Sequence, residues 1–397
     1  MSPGRPALVL LRGLPRVVPR QGLPRVVLSG IALFLAACSD LKEGDPSGTD
    51  ASGDGAVSTP PDTDASVPPG TDGAPQPTAD GAVLPGGACR PSPLPCLDPS
   101  PEDIVEIPTE KSFNDAVAQA RAGSTLQIRG LSIGAGFRVP ALVTLRGCAG
   151  AKIVGGIAFA GTGGTIEGFE VTGQIVANRS GTYVVRENRF VGSDATAGVE
   201  GNSIDGLVSA EVKLSVVANL FTLRPRGIAA STRYDTGIHT VDLVAQNNVF
   251  RGVNAPVVLT RGGLVGKISA RVESNTIHGF GTAFYFGSVD RPSLVGNLLS
   301  SGTAAVGGDS AYQVSYSLLS GVTSPGGATP LSGAFATGNA AFMDEAGGDF
   351  RLTSGSSALD RIPAGTALPA DDFAGCPRPV GRPGAPALGD IGAFEAQ

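Results

Sequence analysis

Arg186-Glu187-Asn188-Arg189-Phe190-Val191-Gly192, Val217-Ala218-Asn219-Leu220-Phe221, Gln246-Asn247-Asn248-Val249-Phe250-Arg251-Gly252, Glu273-Ser274-Asn275-Thr276-Ile277-His278-Gly279 and Val295-Gly296-Asn297-Leu298-Leu299 are five copies of one pattern. In each, a run rich in β-branched residues leads to an Asn, and a large apolar residue follows two positions later. A weaker copy precedes them, ending at Val171 and Gly173, and a last one replaces Asn by Ser317 and ends at Leu319 and Gly321. Between the apolar markers the spacings are 19, 31, 29, 27, 22 and 20 residues, about one β-solenoid coil with three coils expanded. Strand repeats of this period mean a stack of coils sharing one core.

Side chains alternate faces along a strand, so columns can be aligned by counting from each Asn. Three positions before it stand Val185, Val216, Ala245 and Val272, and five before it Tyr183, Leu214, Leu243 and Ala270. These point inward. Val184, Ser215, Val244 and Arg271, then Thr182, Lys213, Asp242 and Ser269, face solvent. Seven positions after the marker come Ile228, Val257, Phe284 and Val306, and two further Ala230, Leu259 and Phe286, a second inward set in register. Asn188, Asn219, Asn248, Asn275 and Asn297 are assigned to a structural ladder: each sits in a tight turn, tolerates the left-handed conformation, and bonds its amide to the next coil.

Residues 1–37 read as a lipoprotein signal peptide. Five Arg and no acid precede the 12-residue apolar stretch Val26 to Ala37, too short to span a bilayer permanently, and Cys38 follows as the lipidation site. Lipid there would tie the chain to a membrane of the cell envelope, and Ser39 leans toward the outer one. Residues 38–87 form a tether, with nine acids, one Lys and almost nothing large and apolar; such a segment cannot offset its conformational entropy. Without the signal, 24 basic and 35 acidic residues remain, net −11, of which the tether carries −8. The remainder, at −3, lacks the basic footprint of a nucleic-acid binder.

Cys89 and Cys96 are close enough in sequence to form a disulfide, as an exported compartment permits. Cys148 with Cys376 is a second pair, provided that the C-terminal segment returns to the early coils. Without a CxxC and with His239 and His278 as the only histidines, no metal site is expected, and nothing calls for a cofactor.

Ser112 to Gly123 has an N-cap Ser, one apolar face of Phe113, Ala116, Val117 and Ala120, and a Gly stop, and the strand Thr125-Leu126-Gln127-Ile128-Arg129 follows. Helix, strand and Gly130 together resemble the N-terminal cap of right-handed parallel β-helix proteins, the pectin-lyase-like superfamily. The resemblance implies an all-β, right-handed, single-stranded parallel β-helix over 88–340. At the other end, Asp349 to Asp360, Asp372 to Pro379 and Gly389 to Glu395 resemble the C-terminal region of bacterial surface β-helix proteins of choice-of-anchor type. That resemblance makes 341–397 a segment that closes the helix, with the N-terminal lipid as the anchor.

Enzymes of the pectin-lyase-like superfamily act on polysaccharides in a groove outside one sheet. Here that sheet would present Gly227, Ala229, Pro256, Val258, Ala283 and Tyr285, none charged at neutral pH. Glycoside hydrolysis needs two flanking carboxyl groups, and elimination needs a base with a cation. Catalytic candidates come instead from the expanded coils: Asp194, Glu200 and Asp205 with Arg224, Arg226 and Arg233. Arg224, Arg226, Arg233 and Tyr234 are also the candidate ligand-binding set, because guanidinium groups grip carboxylates and an aromatic ring packs on sugars. His278, beside Gly279, reads as a turn residue. On the first sheet Glu211, Lys213, Asp242, Lys267 and Arg271 read as a solvated surface with pairs such as Lys213 with Asp242. The leading expectation is a non-catalytic envelope lipoprotein with a structural, adhesive or glycan-binding role; the competing one is a polysaccharide lyase or hydrolase.

Overall fold

Short β-branched runs punctuated by Gly, Asn and Ser form strands here because each strand finds its hydrogen-bonding partner one coil away. The computed structural model describes residues 94–97, 104–134, 136–148, 150–192, 196–203, 210–232, 238–262, 265–378 and 388–396. The chain divides into two compact units, 1–76 and 77–397, and the described residues all belong to the second. One sheet of 11 strands begins at Ile104–Ile107 and runs through Val143–Cys148, Ala210–Val217 and Lys267–Glu273 to Pro330–Ser332, with every pairing parallel. A second sheet holds 16 strands in two columns. One column passes through Arg189–Phe190, Leu220–Thr222 and Val249–Arg251; the other through Ala197–Ser203, Arg226–Thr232 and Ala255–Arg261. They merge in Thr276–Gly287, a 12-residue strand that pairs with both columns of the preceding coil. The chain is thus a parallel β-helix-like solenoid.

The inward columns are dry. Tyr183, Val185, Leu214, Val216, Leu243, Ala245 and Val272 are at most 1% exposed, and Ile228, Val257, Phe284, Val306, Leu259 and Phe286 are fully buried. Phe190, Phe221 and Phe250 stack with ring centroids 4.6 and 4.8 Å apart, the separation of neighbouring strands. Gly198 and Gly227 leave room for that stack, since a Cβ at Gly227 would lie 2.5 Å from Phe250. Gly227, Pro256 and Ala283, expected on the outer face, are consequently buried; Ala229 and Val258 are half-buried and Tyr285 is exposed.

At the turn after the first sheet, Asn188, Asn219, Asn248, Asn275 and Asn297 form an unbroken column, each at most 2% exposed. The Oδ1 of Asn219 accepts from the backbone N–H and Nδ2 of Asn188, and the Oδ1 of Asn248 does the same for Asn219. Asn275 and Asn297 continue the chain, and Ser317 Oγ ends it by accepting from Asn297 N–H. Each Nδ2 from Asn188 to Asn297 also donates to a backbone carbonyl of the preceding coil, as Asn248 does to Val216. One detail corrects the sequence reading. The left-handed residue is not the Asn but the one before it: Glu187, Ala218, Asn247, Ser274, Gly296 and Tyr316 all have φ between 50° and 64°. That residue turns the backbone, which frees the Asn to point its amide inside.

The cysteines also differ from expectation. Cys96 joins Cys148, with Cα atoms 5.3 Å apart, so neither the Cys89 with Cys96 pair nor the Cys148 with Cys376 pair forms. Cys376 is disulfide-bonded to a partner outside the described residues, where Cys89 and Cys38 both lie. Closing 52 residues of chain contributes roughly 4 kcal/mol on chain-entropy grounds. It draws 94–97 onto the early coils, where Gln127 exchanges two hydrogen bonds with the Leu97 backbone and Arg146 donates to Pro95 O. The helix spans Glu110–Gln119, three residues earlier than the Ser112 cap implies, with Thr109 O accepting from Phe113 N–H. Phe113 is buried, and Ala116, Val117 and Ala120 pack on the core.

Asn248→Ala strips Asn219 of the acceptor for two donors and removes the side-chain donor to Val216 O. We expect a loss of about 2–4 kcal/mol in urea unfolding, while Thr182→Ala on the exposed side of the same sheet changes stability by less than about 0.5 kcal/mol.

Candidate functional site

Four of the sequence-derived candidates, Asp194, Asp205, Arg233 and Tyr234, lie outside the described residues, as do Cys38 and Cys89. The other three fall in two different places. Arg224 is 2% exposed, and its guanidinium donates to Gly173 O at 3.0 Å and Val191 O at 3.2 Å. These carbonyls belong to the two preceding coils, so Arg224 ties coils together rather than facing a ligand. An Arg in an expanded coil looks like a surface cation in sequence; only closure of the coil shows that it covers carbonyl groups.

Glu200 and Arg226, by contrast, line one open depression on the second sheet. Glu200 lies on Ala197–Ser203, Arg226 opens the next strand, and strand register brings Ala197 opposite Arg226 and Glu200 opposite Ala229. Outward residues on three successive coils complete it: Asn202, Ser231 and Thr260. Asn202 Nδ2 donates to Glu200 Oε1, and Ser231 Oγ donates to Asn202 Oδ1 at 2.6 Å, so the row is held in place by its own hydrogen bonds. On the following coil Gly287 stands in register with Thr260, and Tyr285, two residues earlier, in register with Val258 and Gly307, is 42% exposed. Its ring edges sit where a Cβ on Gly287 or Gly307 would touch them at 3.5 and 3.4 Å. Two bare backbone positions therefore flank the ring. Among the described residues lining the depression, Glu200 is the one carboxyl group.

Sequence reading did not find this row, since Asn202, Ser231 and Thr260 look like ordinary strand residues. The signal in the sequence is the second inward column itself, since alternation from Ala230 and Leu259 turns the next residues, Ser231 and Thr260, outward on adjacent coils.

A second open depression lies on the first sheet, lined by Glu211, Thr240, Asp242, Lys267, Ser269 and Asp290 among others. Lys213 and Asp242 face each other in register, but Lys213 Nζ pairs with Glu211 at 3.1 Å and Asp242 accepts from Ser269 Oγ. Arg271 pairs with Glu273 at 2.6 Å. The face is a set of local pairs. No group of three His, Cys, Asp or Glu side chains among the described residues is placed to hold a metal ion.

His278 lies within a strand rather than a turn. Its Nδ1 is 2.9 Å from Glu345 Oε1 without the alignment of a hydrogen bond, and its ring packs 5.3 Å from Phe350. Burial holds its pKa below the ordinary 6.5; Glu345 pulls it up and Arg251 pushes it down. It belongs to the contact between the solenoid and the C-terminal segment, which lies along the flank of the coils. There Phe350, Ala393 and Phe394 cover Val249, while Leu352, Ala358, Ile362 and Ile391 cover Leu298 and Leu318. Arg378, buried among Asp372, Asp390 and Glu395, pins the segment by donating to Gly392 O and Asn247 Oδ1. Burial pushes the Asp372 and Asp390 carboxyls up, against the pull of backbone N–H donors and of Arg378.

No protein-family profile matches the chain, and no curated protein matches it.

A His whose pKa is lowered by folding stabilises the fold above its unfolded value of 6.5 and withdraws that support as pH falls through the lower folded value. Thermal unfolding from pH 7.5 down to pH 5 should therefore lose stability more steeply in the unmodified protein than in His278→Gln. Equal slopes would remove His278 from the contact's pH response.

Proposed function

We propose that this protein is a cell-envelope lipoprotein that displays a rigid, right-handed β-helix and binds polysaccharide on the flank of its second sheet. The observation that carries the reading is one outer face built from two neighbouring rows: Asn202, Ser231 and Thr260 in register on three successive coils, and beside them Glu200 on the first coil and Tyr285 on the fourth. Such a surface offers hydroxyl and amide groups at the strand repeat of about 4.8 Å, with a carboxylate and one aromatic face beside them. Hydroxyl-rich chains suit it, because each sugar can exchange several neutral hydrogen bonds while a ring packs on its apolar side. Arg226 at the margin favours acidic sugars.

In this reading Cys38 carries the lipid, residues 38–87 are the tether, and the helix Glu110–Gln119 caps the first coil. The tether's sequence supports this, since an acidic Pro- and Thr-rich stretch holds a folded body away from the membrane. The resemblance to pectin-lyase-like proteins supplies the handedness and the polysaccharide class.

Two measurements test it. Calorimetric titration of the protein with acidic and neutral polysaccharides should detect binding that Tyr285→Ala weakens at least tenfold, about 1.4 kcal/mol, and that Asn202→Ala also weakens. Binding to none of them, or binding indifferent to both changes, would overturn the site. Separately, metabolic palmitate labelling should mark the protein and be abolished by Cys38→Ser, with the protein leaving the membrane fraction.

A further inference from the structure

From Ser310 to Met343, 34 consecutive residues contain no Asp, Glu, Lys, Arg or His. These residues build the last coils of the solenoid: Tyr312–Ser315 and Leu318–Gly326, then Pro330–Ser332 and Ala336–Thr337. Pro330–Ser332 ends the first sheet, and Ala336–Thr337 ends its branch of the second; among the described strands nothing pairs with their outer edges. From Gly321 to Gly338 no residue is buried. Leu331 is 51% exposed, and Phe335, packed on Tyr312, is half-buried.

Among the described residues the C-terminal segment meets this end at its last edge, where Ser357 packs on Gly338 and exchanges hydrogen bonds with Asn339. Its apolar side chains are spent on the flank, against Val249, Leu298 and Leu318. The other end of the solenoid differs, because the helix Glu110–Gln119 packs there and Arg129 pairs with Glu106 on the outermost strands. Sheet edges that stay monomeric usually carry charge, Lys above all. Here Pro325 and Pro330 each remove one donor, but no charge opposes a partner.

We propose that the charge-free end is a docking surface for the same end of a second copy of this chain, the two related by a two-fold axis. In that arrangement the terminal strands meet antiparallel and each Leu331 and Phe335 is covered by the partner coil. An uncharged surface is complementary to itself, whereas a charged partner would lose hydration there without gaining a counter-charge. The patch of 18 residues from Gly321 to Gly338 falls just below the roughly 20 to 30 residues a side of a standard stable interface, so the dimer should dissociate on dilution.

The test is equilibrium sedimentation of the full chain carrying Cys38→Ser, which excludes lipid-driven association. The expected mass climbs from monomer to dimer with protein concentration, and the double change Leu331→Lys with Thr337→Lys weakens dimerisation at least tenfold with an unaltered circular dichroism spectrum. Hydrogen exchange on the protein without those two changes provides a readout that no misfolded variant can spoil: amides of 321–338 should gain protection as concentration rises. A monomer at every concentration up to about 100 µM, a dimer undiminished by the two lysines, or protection gained elsewhere would each overturn the proposal.

Discussion

A coil that turns three times per circuit must bury backbone groups at each corner, and an unpaired buried group costs as much as a good contact contributes. The Asn column resolves this at one corner. Each amide is matched to the next coil's amide and to a carbonyl of the coil before, so six positions spread over 130 residues satisfy one another as a unit. The core columns follow from that corner: with the turn fixed, alternation sends Val185, Val216, Ala245 and Val272 inward without further choice. The same rigidity sets Glu200, Asn202, Ser231, Thr260 and Tyr285 on one outer face.

The flank is organised by a second demand. Leu220 with Phe221, Val249 with Phe250, Leu298 with Leu299 and Leu318 with Leu319 put apolar residues on both faces of one short column. A strand apolar on both sides needs cover on both sides. The core takes Phe221, Phe250, Leu299 and Leu319, and the C-terminal segment takes the other face. Its buried Arg378, held among three acids, is costly to desolvate, yet Asn247 at the turn beside the ladder receives one of its N–H groups and so fixes where the segment lands.

Much of the fold was legible because it is periodic. The columns counted from each Asn coincide with the buried ones, since a period of two along each strand and one motif per coil leave little freedom. The paired apolar residues stand in the sequence as well, but an inward and an outward Leu side by side look there like one core position and a neighbour, so the covered flank was not legible. The site was less legible. Of the residues expected to face a ligand, Arg226 and Glu200 line the depression and Arg224 ties carbonyl groups. Charge marks a residue as interesting without saying which way it points, whereas the neutral Asn202 and Ser231 gain their place only from register.

The sequence by itself determined the inward columns, the amide ladder and the charge-free last coils, because each follows from local alternation repeated at a fixed motif. The tertiary structure alone decided that Cys96 meets Cys148, that the left-handed residue precedes the Asn, that Arg224 is buried, and that the C-terminal segment covers the flank of the coils at Leu298 and Leu318. All but one of these are contacts between residues far apart in sequence, where no periodicity constrains the partner. The exception, the left-handed residue, was decided by how tightly the backbone had to bend to carry one sheet into the next.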